Sequence, residues 1–321
     1  MESPTQKIIE KSILDNYIEY QNLFLEFQSK FLAGLYSRYQ SVESGNLALY
    51  YAKQTHQDIL RQKDYDLNFN ISYKEFWKNH YDFQPRKISI IKIASDTSLP
   101  KETARRKILE LTKQKVLNKK NGNIGWLPSE QYKKNYNLFI TEEVKGLAKL
   151  VSFVCKKLDN YISSEEAVKE IEDKFSFYLF HYLGAQLEYL RLWSKQLKDL
   201  ELCLIFIQVA HLFTAKTKEK NLSHKDVFDD SSLLKEFISA SISATSVADI
   251  TKIPRATCIR KLEILVKLKI LSKDKISKRY YIIPDFITAE NISPKITKKV
   301  VKIFSEFFFI CIRAINSKNS N

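Results

Sequence analysis

Part of this chain occurs twice, and that constrains its fold more than any other feature. Residues 98–117 read SLPKETARRKILELTKQKVL, and residues 252–271 read KIPRATCIRKLEILVKLKIL. At an offset of 154, without a gap, eight of twenty positions are identical: Pro100/Pro254, Thr103/Thr257, Arg106/Arg260, Lys107/Lys261, Leu111/Leu265, Lys113/Lys267, Lys115/Lys269 and Leu117/Leu271. Weaker matches extend outward. Ile93-Ala94 meets Val247-Ala248. At an offset of 156, Pro128 meets Pro284, Thr141 meets Thr297, Val144 meets Val300 and Cys155 meets Cys311. At 153, Phe24 meets Phe177, Phe27 meets Phe180, Tyr36 meets Tyr189 and Arg38 meets Arg191. Two copies make a duplication rather than a solenoid. The 321 residues accordingly divide into units of 1–160 and 161–321, the two domains that the length itself suggests.

The units read as helical. Only 6 glycines and 7 prolines occur in 321 residues. So few turn formers argue against barrels, sandwiches and glycine-rich nucleotide-binding folds. A hydrophobic content of 44% is ample for a core. Ile13, Tyr17, Tyr20, Phe24, Phe27, Phe31 and Leu35 recur at three and four, which is one helix face. A second helix spans 46–62. The second copy uses 165–193 and 197–216. Polar segments follow at 63–86 and 217–232, then the repeated block, then a closing apolar helix, 142–160 or 297–316.

Within the first block, Ile90, Ile91, Ile93 and Ala94 pattern a short helix. Pro100 suits the first turn of the next, where its missing N–H costs nothing. Ala104, Ile108 and Leu111 then form a buried stripe, and Lys101, Thr103, Arg106 and Lys107 lie off it. Asn121-Gly122 between two short apolar runs signals a hairpin. In the second block Val247 to Thr251 is the short helix and Pro254 opens the next. Cys258, Leu262 and Leu265 are the stripe, and Leu271 to Ile283 is a hairpin whose turn lacks glycine.

Helix, tight turn, helix, basic hairpin is the plan of a winged helix-turn-helix. The pattern IA-x(5)-P-x-x-T-x-x-R, flanked by long helices, resembles the multiple-antibiotic-resistance regulator (MarR) family. The resemblance covers residues 89–128 and 246–284. It implies a mostly α fold with small β-wings: two winged helix-turn-helix units in a pseudo-twofold duplication, with long helices as the interface. The reading heads would be about 86–135 and 246–285. It also implies double-stranded DNA as partner, and a small-molecule effector bound between terminal helices and head. The chain departs from the family in carrying both units itself, so it would act as a monomeric pseudo-dimer or pair again as a homodimer.

Charge follows the same division. Residues 86–135 carry a net +9 and residues 252–280 a net +8, while the other 242 residues carry −2. That is the footprint of phosphate contact. Base reading falls to the start of each second helix, at Lys101, Glu102 and Arg105 in one head and Arg255 in the other; Arg106 and Arg260 are expected to touch DNA, Thr103 and Thr257 to meet phosphate, and Lys107 and Lys261 complete the DNA-binding set. Lys119, Lys120, Lys278 and Arg279 are wing candidates for phosphate or minor groove. Glu102/Ala256 and Arg105/Ile259 differ between copies, so the half-sites should differ. The competing reading for each residue is a solvated charge or a weak surface pair, such as Arg106 with Glu102.

Other features read as structural. Phe24, Phe27, Phe31, Tyr178, Phe180, Tyr182 and Phe307 to Phe309 suit a core, as do Trp77, Trp126 and Trp193. The four cysteines sit about fifty residues apart among apolar residues, as small core thiols rather than a zinc site. His56, His80, His181, His211 and His224 show no catalytic spacing, so neither an enzyme nor a cofactor is expected. No basic-then-apolar leader opens the chain, and the apolar run Leu202 to Phe213 is too short to span a bilayer. A cytoplasmic protein without membrane attachment is the expectation. Two alternatives stay open: a plasmid-type replication initiator, which also carries two winged helices, and a winged-helix module that binds protein.

Overall fold

The computed structural model describes residues 4–64, 71–79, 84–219, 238–283 and 292–318. Its first half runs α1 (Gln6–Asp15), α2 (Tyr17–Tyr39), α3 (Val42–Leu60), α4 (Tyr73–Asn79), α5 (Ile90–Thr97), α6 (Lys101–Lys113), β1 (Asn118–Lys120), β2 (Asn123–Gly125) and α7 (Glu130–Lys156). The second runs α8 (Ser164–Asp173), α9 (Phe175–Leu197), α10 (Leu200–Glu219), α11 (Ala244–Thr251), α12 (Arg255–Lys267), β3 (Leu271–Lys273), β4 (Tyr280–Ile282) and α13 (Ile292–Lys318). The protein is mostly α-helical with two small antiparallel hairpins, each following a short helix pair. Pro284, the end of the second head, His80, His224, parts of the first polar segment (65–70 and 80–83) and most of the second lie outside the described residues.

The upstream register of the repeat needs correction. α1 and α8 are ten residues each, α2 and α9 are 23 each, and their starts lie 158 residues apart rather than 153. At 158, all twelve buried residues of α2 fall on buried residues of α9. The identities are then Tyr20/Tyr178, Leu25/Leu183, Gln28/Gln186 and Leu32/Leu190. The backbone repeats as well. Left-handed residues recur in pairs, Gln40/Lys198, Ser98/Lys252, Lys115/Lys269 and Asn121/Lys278, and each marks where one element stops and the next is aimed.

Helix ends differ from the apolar pattern where polar side chains decide them. The face from Ile13 to Leu35 is interrupted at Asn16, whose Nδ2 donates to the Ser12 carbonyl at 2.9 Å and closes α1. Ser163 and Glu166 form a capping box that starts α8. Ser129 caps α7, accepting from the Tyr132 N–H, so that helix begins 12 residues before the apolar run at Glu142.

The chain forms two compact units, and each draws on both halves of the sequence. One comprises Met1–Ile9, Glu43–Lys195 and Ile303–Asn321; the other comprises Glu10–Val42 and Gln196–Lys302. In the first unit α7 and α4 pack on α8. His56 of α3 meets Ser176 of α9 at 3.2 Å. His56 also lies among Phe76, Trp126 and Phe175, and Trp77 and Tyr136 pack on the Trp126 ring. In the second unit α2 packs along α10 and on α11, and α12 packs on α10. Ser29 Oγ donates to Gln208 Oε1 at 2.8 Å in that core. Cys155, Cys203, Cys258 and Cys311 are all buried free thiols.

The apolar run at Leu202 lies in α10, which has the length of the helix expected at 197–216 and is shifted by three residues. Among the described residues α10 alone is long and apolar enough to cross a membrane, and 72% of that stretch is buried inside the protein.

Candidate nucleic-acid interface

Both heads are built by the same local devices. α5 and α11 start on serine caps, Ser89 accepting from Lys92 N–H and Ser243 from Ser246 N–H. Each ends on a buried threonine whose hydroxyl donates back four residues at 2.7 Å, Thr97 to Ile93 and Thr251 to Val247. The next residue is left-handed (Ser98 φ 54°, Lys252 φ 63°), then a buried Leu99 or Ile253, then Pro100 or Pro254 at the cap of the second helix. Ser89/Ser243 and Thr97/Thr251 share the 154 offset and extend the repeat upstream of the matched twenty.

The stripe residues Ala104, Ile108 and Leu111, with Cys258, Leu262 and Leu265, are buried as patterned. This fixes what faces outward. On α6, Lys101, Glu102, Arg105 and Arg106 are exposed and Thr103 half-buried. On α12, Arg255, Ala256 and Arg260 are exposed, with Thr257 and Ile259 half-buried. Arg105 Nε donates to Glu102 at 2.9 Å, and Arg255 Nε to Thr245 Oγ1 at 3.0 Å. Arg106 and Arg260 make no ion pair with a described residue; Glu102 is taken by Arg105 instead.

Lys261 requires a correction. It is 5% exposed, and its ammonium holds Asp199 at 2.5 Å and Glu201 at 2.9 Å. Burial pulls its pKa down, but the two carboxylates outweigh that and raise it overall. A cation neutralised inside the fold has nothing left for phosphate, so Lys261 locks α12 to the start of α10. Lys107, its repeat partner, makes the corresponding approach to α3, with Nζ 3.3 Å from Ser44 Oγ. Lys261→Met keeps the stem and leaves both carboxylates without their cation. It should lower stability by about 1–3 kcal/mol, the partial exposure of Asp199 and Glu201 tempering the cost. Urea denaturation checks this.

The first hairpin pairs Asn118 with Gly125, Lys119 with Ile124 and Lys120 with Asn123. Asn121 (φ 50°) and Gly122 (φ 80°) make its two-residue turn. Lys119 is exposed and Lys120 half-buried. The second pairs Leu271 with Ile282, Ser272 with Tyr281 and Lys273 with Tyr280, and Ile242 adds a bridge to Tyr280. Its glycine-free turn is closed by Asp274 instead. Lys278 and Arg279 are exposed there, but Arg279 is tied down, donating through Nε and Nη2 to the Ser241 carbonyl at 3.1 and 2.7 Å.

No protein-family model matches the chain, and neither a curated protein nor a solved structure matches it. The winged-helix-like modules therefore stand on their own geometry.

The exposed charge is the remaining feature of the heads. Lys101, Arg106, Lys113, Lys115 and Lys119 in the first unit are exposed without an ion pair to a described residue. So are Lys252, Arg260, Lys267, Lys269, Lys275 and Lys278 in the second. Other cations are used internally: Arg86 holds Asp58 at 2.5 Å, and Lys273 holds Glu263 at 2.7 Å. The Asp58–Arg86 pair lines a small open cleft with Thr55, Pro85 and Trp126, at the root of the first hairpin. Phe24, Phe31, Tyr178, Tyr182, Phe307 and Phe308 are core residues. The described residues contain no group of three or more His, Cys, Asp or Glu able to hold a metal ion.

Proposed function

We propose that the protein is a sequence-specific, double-stranded DNA-binding transcriptional regulator. Each half is MarR-like, and one chain serves as a pseudo-dimer on an imperfect palindrome. The observation that carries this is the repeated pair Thr103/Arg106 and Thr257/Arg260. Each pair sits on the outer face of the second helix, behind a left-handed turn and a proline cap that fix the helix start. A helix presented this way enters the major groove with its first turns on base edges. Phosphate contacts by the unpaired lysines supply affinity and register, while base contacts supply specificity. An effector for the chain rests on the MarR resemblance.

Selection of the purified chain against a random duplex pool at about 150 mM salt tests the reading, because unspecific phosphate binding is weak there. The expected result is a bipartite motif with non-identical half-sites in inverted orientation. Directly repeated half-sites would favour the replication initiator, and no enrichment would favour the protein-binding module. On the selected site, Arg106→Ala and Arg260→Ala should each cost about 1–3 kcal/mol, roughly 5- to 150-fold in affinity, with relaxed preference in one half-site only. Unchanged affinity and salt dependence in both variants would remove these arginines from the interface.

A further inference from the structure

The second hairpin presents an apolar side chain at its tip. Ile276 is 93% exposed, more than any other large hydrophobic residue described. Its loop is not slack. Asp274 Oδ1 accepts from Ile276 N–H at 3.2 Å, from Ser277 N–H at 2.6 Å and from Ser277 Oγ at 2.7 Å. Lys278 N–H donates to the Asp274 carbonyl at 3.1 Å, and Asp274 N–H to the Arg279 carbonyl at 2.9 Å. The Arg279 fork on Ser241 anchors the far end. These bonds to Ser277 hold the Asp274 carboxyl below its ordinary pKa, so it remains an acceptor at neutral pH. A backbone closed in this way has little conformational freedom left to lose on binding. Lys275 and Lys278 flank Ile276, both exposed. The first hairpin has only Asn121-Gly122 at the same place.

We infer that Ile276 is a DNA wedge: with the second head docked, its side chain enters the minor groove beside that half-site and partly unstacks one base step. Lys275 and Lys278 hold phosphates on the groove walls. This rests on the DNA-binding reading above. An isoleucine standing in water gains by burying its surface against bases, and apolar wedges of this type kink a duplex. Unstacking is easiest at TA and CA/TG steps, so the flank of the second half-site should favour them. The first half-site, met by an Asn-Gly tip, should show no such flank preference. The chain would then sit on an asymmetric site in one orientation only.

The test uses full-length protein on the duplex recovered by selection, with bending read by fluorescence transfer between end labels. Wild type should bend it by about 20–90°. Ile276→Ala should lose most of the bend and the flank preference, and bind about tenfold more weakly. Arg260→Ala should weaken binding but leave the bend of the formed complex intact. Ile276 has little packing to lose, so an unchanged denaturation midpoint is the folding control. Specific binding with the same bend and flank preference in Ile276→Ala overturns the wedge and leaves the regulator standing. No specific binding by wild type overturns both.

Discussion

Cutting the chain between Asn160 and Tyr161, at the repeat boundary, should give two fragments that do not fold alone. α2 lies in the first fragment, but the unit it belongs to takes the rest of its core from 196–302. Ten large apolar side chains of α2 are buried, from Tyr17 to Tyr39. At about 1.5–3 kcal/mol each, their exposure amounts to roughly 15–30 kcal/mol, against a whole-domain stability of about 5–15 kcal/mol. The second fragment has the same difficulty, because α8 and α9 belong to the unit that holds α3 and the first head. Each fragment alone should show no cooperative thermal transition by circular dichroism. Co-expressed, the two should copurify one to one and recover the transition. A cooperative transition in 1–160 alone would contradict the interleaved cores.

Duplex affinity should collapse with added salt. Fifteen exposed lysines and arginines on the two heads make no ion pair with a described residue, though Arg255 and Arg279 among them are hydrogen-bonded to Thr245 and to the Ser241 carbonyl. If both heads engage, about 6–10 phosphates are neutralised, and affinity falls by about 10³–10⁵ between 50 and 200 mM salt. The logarithmic slope should be about −5 to −9. Lys119→Ala and Lys278→Ala should each make it shallower by about one, with no change in the preferred sequence. Lys261→Met should leave it unaltered, because that charge is already compensated. Titration by fluorescence anisotropy at four salt concentrations measures all of these. A slope shallower than about −2 would mean that the heads do not meet phosphate.

What could be read from the sequence follows the distance over which each feature is determined. Pro100, Pro254, the stripes 104–111 and 258–265, and the Asn121-Gly122 turn depend on neighbours within a few residues, and all stand where the pattern puts them. Sequence alone misregisters the first helices because two aromatic-rich helices match at several shifts. Only burial separates Tyr20/Tyr178 from the accidental Phe24/Phe177. Lys261 looked like Lys107 because the residues are identical, while its carboxylates lie some 60 positions earlier, at Asp199 and Glu201. Arg279 looked free because its acceptor is a backbone carbonyl, which leaves no trace in residue type. The glycine-free wing turn did carry a signal, Asp274 three residues before Ser277, the spacing of a side-chain-closed turn. Nothing local says which copy's helices will cover which head.

The passage of the chain between its two units, at 9/10, 42/43, 195/196 and 302/303, also sets a timetable for synthesis. The aromatic face of α2 leaves the ribosome long before α10 exists to cover it. About 180 residues separate the ends of these helices, and at about 5–20 residues per second the wait is roughly 10–35 s. For that interval the nascent protein exposes a stripe of Tyr, Phe and Leu with no native partner. A newly made chain of this kind is a natural client for a holding chaperone, and a slowed or truncated translation product should aggregate rather than persist as half a protein.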